Sequence, residues 1–274
     1  MTPNPPPLED RLLRELPLAA IDLETTGLSP QRGDRVIEMA VVVGRRGETP
    51  RSWSSLVNPE RPVAATHIHG ITDSMLANQP RFADLVPRLT ALVEGAVIVA
   101  HNAPFDMGFL AHECAAAGLQ LPPRPVLDTL GLARRVLGFG DHRLSSLCTR
   151  FHLQRERAHR ALDDALATWH LAWHLADAAD PEGGLSLGSA QLLSRRRIEG
   201  EVSAVVARLN AARARGTPIV VDYPSVLTPD EPPTRRTLTI QRVSRSRVRA
   251  FCHLRAADRT FRLDRLRIVE DLPC

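Results

Sequence analysis

Two carboxylates two residues apart, Asp22 and Glu24, interrupt the otherwise apolar run from Leu18 to Leu23. In an extended strand such residues project to one face while Ile21 and Leu23 face the other. Ionised carboxylates in that setting are costly unless a cation pairs with them, so the pair outlines half of a divalent-metal site. Taken alone, the same pattern also describes a surface strand with alternating polar residues. Thr25, Thr26 and Gly27 end the strand, and Gly27 lets the backbone turn tightly where a substrate could come close. A third acid, Asp106, follows the apolar run Ala96 to Ala100 and the residues His101 and Asn102, which places it in the first turn of a helix near the positive end of the dipole. His159 and Asp164 stand at the start of a long helical pattern, about 140° apart round its axis. The histidine then belongs to an entry turn and Asp164 to firm helix.

The elements that must position these groups read as three sequential strands followed by alternating helices and strands. A strand from Leu18 is followed by the β-branched run Arg35 to Val43 and by Thr49 to Val57, an antiparallel meander. Thr72 is placed to cap a short helix toward Ala77. Helical spacing covers Phe82 to Val93, a buried strand Ala96 to Ala100, and a helix Pro104 to Ala117. A strand near Val126, helices over Thr129 to Leu137 and Leu144 to Phe151, and a long helix from His159 to about Ala176 complete an α/β unit with a mixed sheet. The Ala, Gly, Ser and Asp content that follows reads as a linker, 179–197. Residues 198–274 then begin with a helix and continue as short strands, a small β-rich module.

Composition bounds the function classes. At 274 residues the chain can hold two modest domains with real cores. No apolar run approaches the roughly 20 residues needed to span a bilayer, and the Pro-rich start lacks the regions of a signal peptide, so a cytoplasmic protein is expected. The four cysteines include no C-x-x-C pair, which argues against a zinc site or a disulfide framework. All 35 basic residues are arginine; residues 195–274 carry 17 of them against 9 acids, and residues 1–194 carry 18 against 22. The first part is suited to holding cations and the second to meeting phosphates.

Taken together, D-x-E on a first strand, N-x-x-x-D at a helix start (Asn102, Asp106) and H-x-x-x-x-D on a late helix (His159, Asp164) resemble the three motifs of the DEDDh 3′-5′ exonuclease superfamily. His69 to Thr72, Leu127 to Thr129 and His142 to Leu144 are similar to segments of its replicative-polymerase epsilon branch. The resemblance covers roughly Pro17 to Ala176. It implies a ribonuclease H-like α/β fold, residues 1–178, and two divalent cations, Mg²⁺ or Mn²⁺, held by Asp22, Glu24, Asp106 and Asp164. In that family Asp22 bridges the ions, Glu24 and Asp164 hold the one nearer the attacking water, Asp106 serves the other, and His159 is the general base. The same resemblance implies that Thr25, Thr26 and Gly27 contact the terminal nucleotide, that Leu28 or Phe105 wedges against bases, and that His69 lies near the terminal sugar, with a loop-capping role for His69 equally open. Asn102 belongs to the same substrate group. Asp163 reads as a solvent-facing neighbour and Asp128 as a structural cap.

Residues 201–271 resemble the end of WYL domains, small SH3-like barrels. The pattern at Arg259, Phe261, Arg262, Asp264 and Arg265 matches, whereas Ser246, Arg247 and Val248 replace the name residues. Arg259, Arg262 and Arg265 are the candidate phosphate contacts.

These features predict a metal-dependent 3′-5′ exonuclease that releases 5′-mononucleotides from DNA 3′ ends, with exoribonuclease activity and a nucleic-acid-sensing regulator without turnover as the rivals. The expected partner is nucleic acid. No membrane and no polymerase partner is indicated, since there is no clamp-binding Q-x-x-L-x-L peptide.

Overall fold

The computed structural model describes residues 6–63, 66–138, 140–155, 160–195, 200–223, 233–244, 247–263 and 266–271. His159 and Arg265 lie outside the described residues.

In chain order the elements are β1 (Leu18–Thr25), β2 (Val36–Gly44), β3 (Arg51–Leu56), α1 (Thr66–His69), α2 (Asp73–Leu76), α3 (Phe82–Leu92), β4 (Val97–Ala100), α4 (Ala103–Ala116), β5 (Val126–Asp128), α5 (Thr129–Val136), α6 (Leu144–Phe151), α7 (Ala161–Ala179), α8 (Leu187–Arg195), α9 (Gly200–Arg215), β6 (Ile219–Tyr223), β7 (Thr234–Val243), β8 (Arg247–Cys252), β9 (Ala257–Arg262) and β10 (Arg267–Asp271). The first sheet has the order β3-β2-β1-β4-β5. β1 pairs antiparallel with β2 and parallel with β4, and β5 continues the parallel side. This is the mixed sheet expected for a ribonuclease H-like α/β domain.

The period-two alternation of β1 decides which helices its residues meet. Leu18 and Ala20 join a core with Ala161, Ala165, Trp169 and Trp173 of α7, while Ala19, Ile21 and Leu23 join Phe82 and Leu89 of α3 and Phe109 of α4. Asp22 and Glu24 therefore continue the face that α7 covers. Trp169 and Trp173 meet edge to face, their ring centroids 5.9 Å apart, as core residues.

Thr72 precedes α2, but its hydroxyl pairs with that of Ser74 at 2.9 Å and makes no cap bond. The stretch read as linker contains helix α8, and Leu187 and Ala190 are buried in the core that β1 and α7 share. The packing there is close: a Cβ at Gly188 would stand 3.1 Å from the Glu9 carbonyl oxygen, and one at Gly131 of α5 would stand 2.3 Å from the Ser194 carbonyl oxygen. Gln191 Nε2 also donates to the Val126 carbonyl at 2.9 Å.

The second sheet is antiparallel throughout, order β10-β6-β7-β8-β9. Its inner face buries Leu238, Ile240, Val248, Ala250 and Phe261 with Leu209 of α9. Among the described residues no pairing of β9 with β10 closes the sheet into the expected SH3-like barrel. No helix among the described residues is long and apolar enough to cross a membrane.

Candidate metal centre

Strand β4 pairs with β1 only from Leu18 to Ala20. The end of β1 therefore runs on past the point where the sheet changes from antiparallel to parallel, and the carboxyl edge of such a switch is where open α/β sheets leave a crevice. Asp22 and Glu24 occupy that overhang. Helix α7 crosses the same face and brings Asp164, 6% exposed, so that ligand oxygens of Asp22, Glu24 and Asp164 all lie within 4.8 Å of one another. Asp106, 4% exposed, arrives from the first turn of α4 just after β4, and its charge presses on Asp22.

The electrostatics follow from packing four acids into one crevice. Burial, then the charges of Asp106, Asp164 and Glu24, hold the Asp22 carboxyl well above the usual carboxylate range, opposed by Arg155. Burial first, then Asp164 and Glu38, push Glu24 up to about 7, against the pull of Arg155 and Arg160. Asp106 is pushed to about 8, mainly by burial, although backbone N–H bonds from Asp106 and Leu23 draw it down. Buried like charges raise each other's pKa in this way when no cation intervenes. The donor set is hard oxygen, compact and short of positive charge, which fits divalent magnesium or manganese.

Two arginines escaped sequence reasoning. Arg155 forms a fork with Asp164, Nε donating to Oδ1 and Nη2 to Oδ2 at 2.6 Å. Both side chains are almost fully buried. Arg155 thus supplies the cluster with a fixed positive charge, and no local pattern near residue 155 announces it. Glu38 had a signal: it is the single acid in the apolar run of β2, directly opposite Glu24, and a buried carboxylate there demands a partner. Arg160 Nη2 donates to Glu38 Oε1 at 2.7 Å and the Ala161 backbone N–H donates to Oε2 at 3.1 Å. Glu38 therefore ties the start of α7 to the central sheet, three residues before Asp164.

The loop after β1 is equally organised. Thr26 is buried; its N–H donates to the Arg35 carbonyl at 2.9 Å, and its hydroxyl accepts the Arg35 N–H at 3.0 Å. The Thr25 hydroxyl donates to the Gly27 carbonyl at 2.6 Å. A Cβ on Gly27 would stand 2.4 Å from Asp34 Oδ2, which accepts the Ser29 N–H at 3.0 Å. Leu28 is left 85% exposed at the tip. Phe105 packs on Phe109 with centroids 5.0 Å apart. Asn102 is exposed, in the left-handed region at φ 77°, and its side chain makes no cap bond. Asp128 does the capping, with Oδ1 accepting N–H bonds from Asn102, Ala103 and Leu130. His69 is buried, with Nδ1 accepting the Ile71 N–H at 3.0 Å, so it stabilises its own turn. Arg259 and Arg262, expected to act together, lie on opposite faces of β9: Arg262 stands opposite Arg247, whereas Arg259 stands opposite Ala250.

A mixed α/β sheet with acids from β1, α4 and α7 converging at its switch point defines a ribonuclease H-like domain with a candidate metal centre. The exonuclease (RNase_T) family model matches residues 19–172, which include all four acids, and the chain belongs to that family. It is 37% identical over 191 residues to the DNA polymerase III subunit epsilon of Treponema pallidum (strain Nichols), covering 68% of this chain and 88% of that protein. It is 39% identical over 151 residues to the 3′-5′ exonuclease DinG of Bacillus subtilis (strain 168), 54% of this chain but 16% of that much longer protein. Among solved structures it is similar to Exonuclease X in complex with 5′ overhanging duplex DNA, at 27% identity and a TM-score of 0.53, covering 65% of this chain and 99% of that one.

Proposed function

We propose that this chain is a metal-dependent 3′-5′ exonuclease that releases 5′-mononucleotides, with DNA 3′ ends as its substrate, acting in the cytoplasm in DNA repair or processing. The observation that carries the reading is the convergence of ligand oxygens of Asp22, Glu24 and Asp164 within 4.8 Å of one another. The preference for DNA rests on the relatives: a DNA polymerase III subunit, and a structure solved with duplex DNA.

Asp22, Glu24, Asp106 and Asp164 would hold two divalent ions, Mg²⁺ or Mn²⁺. When bound, such a pair stabilises charge on the attacking and leaving oxygens of a phosphodiester. His159 accepts the proton of the attacking water, a role suited to an imidazole of near-neutral pKa. The backbone of Thr25 to Gly27 contacts the terminal nucleotide, with Leu28 and Phe105 against its base and His69 and Asn102 at the border of the site. Residues 198–274 form a basic, WYL-like module whose arginines add affinity for the nucleic-acid backbone.

Digestion of 5′-labelled single-stranded DNA and RNA oligonucleotides in Mg²⁺ or Mn²⁺ tests this. A ladder shortening from the 3′ end is expected, absent in EDTA and in Asp164→Ala, and faster on DNA. Faster loss of RNA would make the enzyme an exoribonuclease. Binding without cleavage of either would leave a regulator.

A further inference from the structure

The register of the second sheet sorts its arginines. Residues directly opposite one another in an antiparallel pair share a face. Val248, Ala250 and Cys252 of β8 are buried, and Arg247, Arg249 and Phe251 between them are exposed. Arg247 stands opposite Arg262 of β9, and Arg249 opposite Arg242 of β7, after a bulge at Gln241. Asp222 of β6 stands between Arg235 of β7 and Arg267 of β10 on the same outer face. By register that face presents Arg235, Arg242, Arg247, Arg249, Arg262 and Arg267 against Asp222, Asp258 and Glu270.

Within the face, Arg235 Nε pairs with Asp222 at 3.0 Å, and Arg249 Nη2 with Asp258 at 3.2 Å. What sets the face apart is the doubling of like charge across strands. Arginines directly opposite each other destabilise a sheet, and here two such pairs occupy neighbouring rungs, at Arg247 with Arg262 and Arg242 with Arg249. Asp258 offsets part of that charge at Arg249, and anionic groups lying over the rungs relieve more of it. The face also holds Phe251, 36% exposed and edge-on to His253, together with the hydroxyls of Thr239 and Thr260.

We propose that the outer face of β7, β8 and β9 is a docking surface for single-stranded nucleic acid, with the Arg242/Arg249 and Arg247/Arg262 pairs on successive phosphates and Phe251 against a base. This deepens the nuclease reading and rests on it for the identity of the polyanion. Arg259, on the opposite face of β9, is not part of the surface.

The test is fluorescence anisotropy of the full chain in EDTA with a labelled oligothymidylate, over about 50 to 200 mM salt. On single strands each phosphate contact adds about 0.7 to the slope of log affinity against log salt, so the four arginines contribute about 2.8. Arg247→Gln/Arg262→Gln should flatten the slope by about 1.4 and weaken binding about 25-fold at about 0.1 M salt. Arg242→Gln/Arg249→Gln should do the same, while Arg51→Gln/Arg88→Gln, removing equal charge from the first domain, should not. Circular dichroism melting confirms that each variant is folded, and the two pair variants test the surface independently. Wild-type slope and affinity in both folded pair variants would overturn the surface, and if wild type still degrades DNA the nuclease reading stands. A wild type that fails to cut but binds through these arginines would overturn the nuclease reading alone. Vesicles of phosphatidylglycerol that depend on the same arginines, with oligonucleotide affinity unchanged, would reassign the face to a membrane and overturn the proposal.

Discussion

Glu24 should make the metal-free protein less stable as pH rises, and Glu24→Gln should remove that effect. The folded protein holds its Glu24 proton up to about 7, well above the ordinary glutamate value of 4.5. A carboxyl whose folded pKa is raised contributes stability below the unfolded pKa and loses it as pH climbs through the folded one. Raising the Glu24 pKa from 4.5 to about 7 corresponds to on the order of 3 kcal/mol, or roughly 6 to 12 °C in melting temperature for a domain of this size. Asp106, raised to about 8, acts in the same direction over a wider window. His101 opposes both. Burial, despite bonds to the His142 carbonyl at 2.9 Å and the Thr129 hydroxyl at 3.0 Å, lowers its pKa from 6.5 to about 4, so it adds stability as pH rises through that interval. The raw melting curve therefore mixes two signs below pH about 6.5, and the difference between wild type and Glu24→Gln isolates the carboxylate. In EDTA, with melting followed by circular dichroism, the variant should gain on wild type between pH about 4.5 and 8 by that amount. A constant difference across the range, or one of opposite sign, would refute the account of the crevice as a set of mutually repelling buried acids. Adding Mn²⁺ should stabilise wild type more at pH about 8 than at 5, because binding releases the protons that the acids otherwise keep.

Removing Arg155 takes away the internal cation that forks onto Asp164. Arg155→Gln should lower the melting temperature in EDTA yet tighten Mn²⁺ binding, measured by calorimetry, by about tenfold, since a charge-assisted bond of this kind is worth about 1.5 kcal/mol or more; weaker Mn²⁺ binding would show that Arg155 supports the site. Glu38→Ala strands Arg160 and frees the start of α7, and should cost about 3 kcal/mol and lower kcat more than it raises KM, with partial recovery in Glu38→Gln. Leu28→Ala, at a side chain 85% exposed, should leave the unfolding free energy within about 0.5 kcal/mol of wild type while slowing digestion of oligonucleotides. Unchanged digestion would remove Leu28 from the substrate contacts.

Much of the site was legible because its signals are local. D-x-E on a strand needs only the two-residue period to put both carboxylates on one face, and the acid at position 106 needs only a strand, a short turn and a helix start. Asp128 was readable as a cap because it directly precedes a helix. The misreadings share a cause, which is that composition describes a residue and not its neighbours. The small residues after Ala179 look flexible, yet Gly188 packs against the Glu9 backbone and α8 rests on Gly131 of α5. The arginines at 259 and 262 look like one cluster, yet three residues along a strand reverse the face. Arg155 could not be found at all, since nothing within a turn of it points to Asp164.

By itself, then, the sequence determined the order of the elements and the identity of the four acids, both of which are set by periodicity and by residue chemistry along a few consecutive positions. Only the tertiary structure decided what surrounds those acids. The register of β1 against β2 set Glu38 opposite Glu24, the fold-back of the chain placed Arg155 on Asp164, and the pairing of β8 with β7 and β9 put arginine opposite arginine on one exposed face. Each of these is a contact between residues distant in sequence or an alignment between strands, and neither can be read from the residues on one side alone.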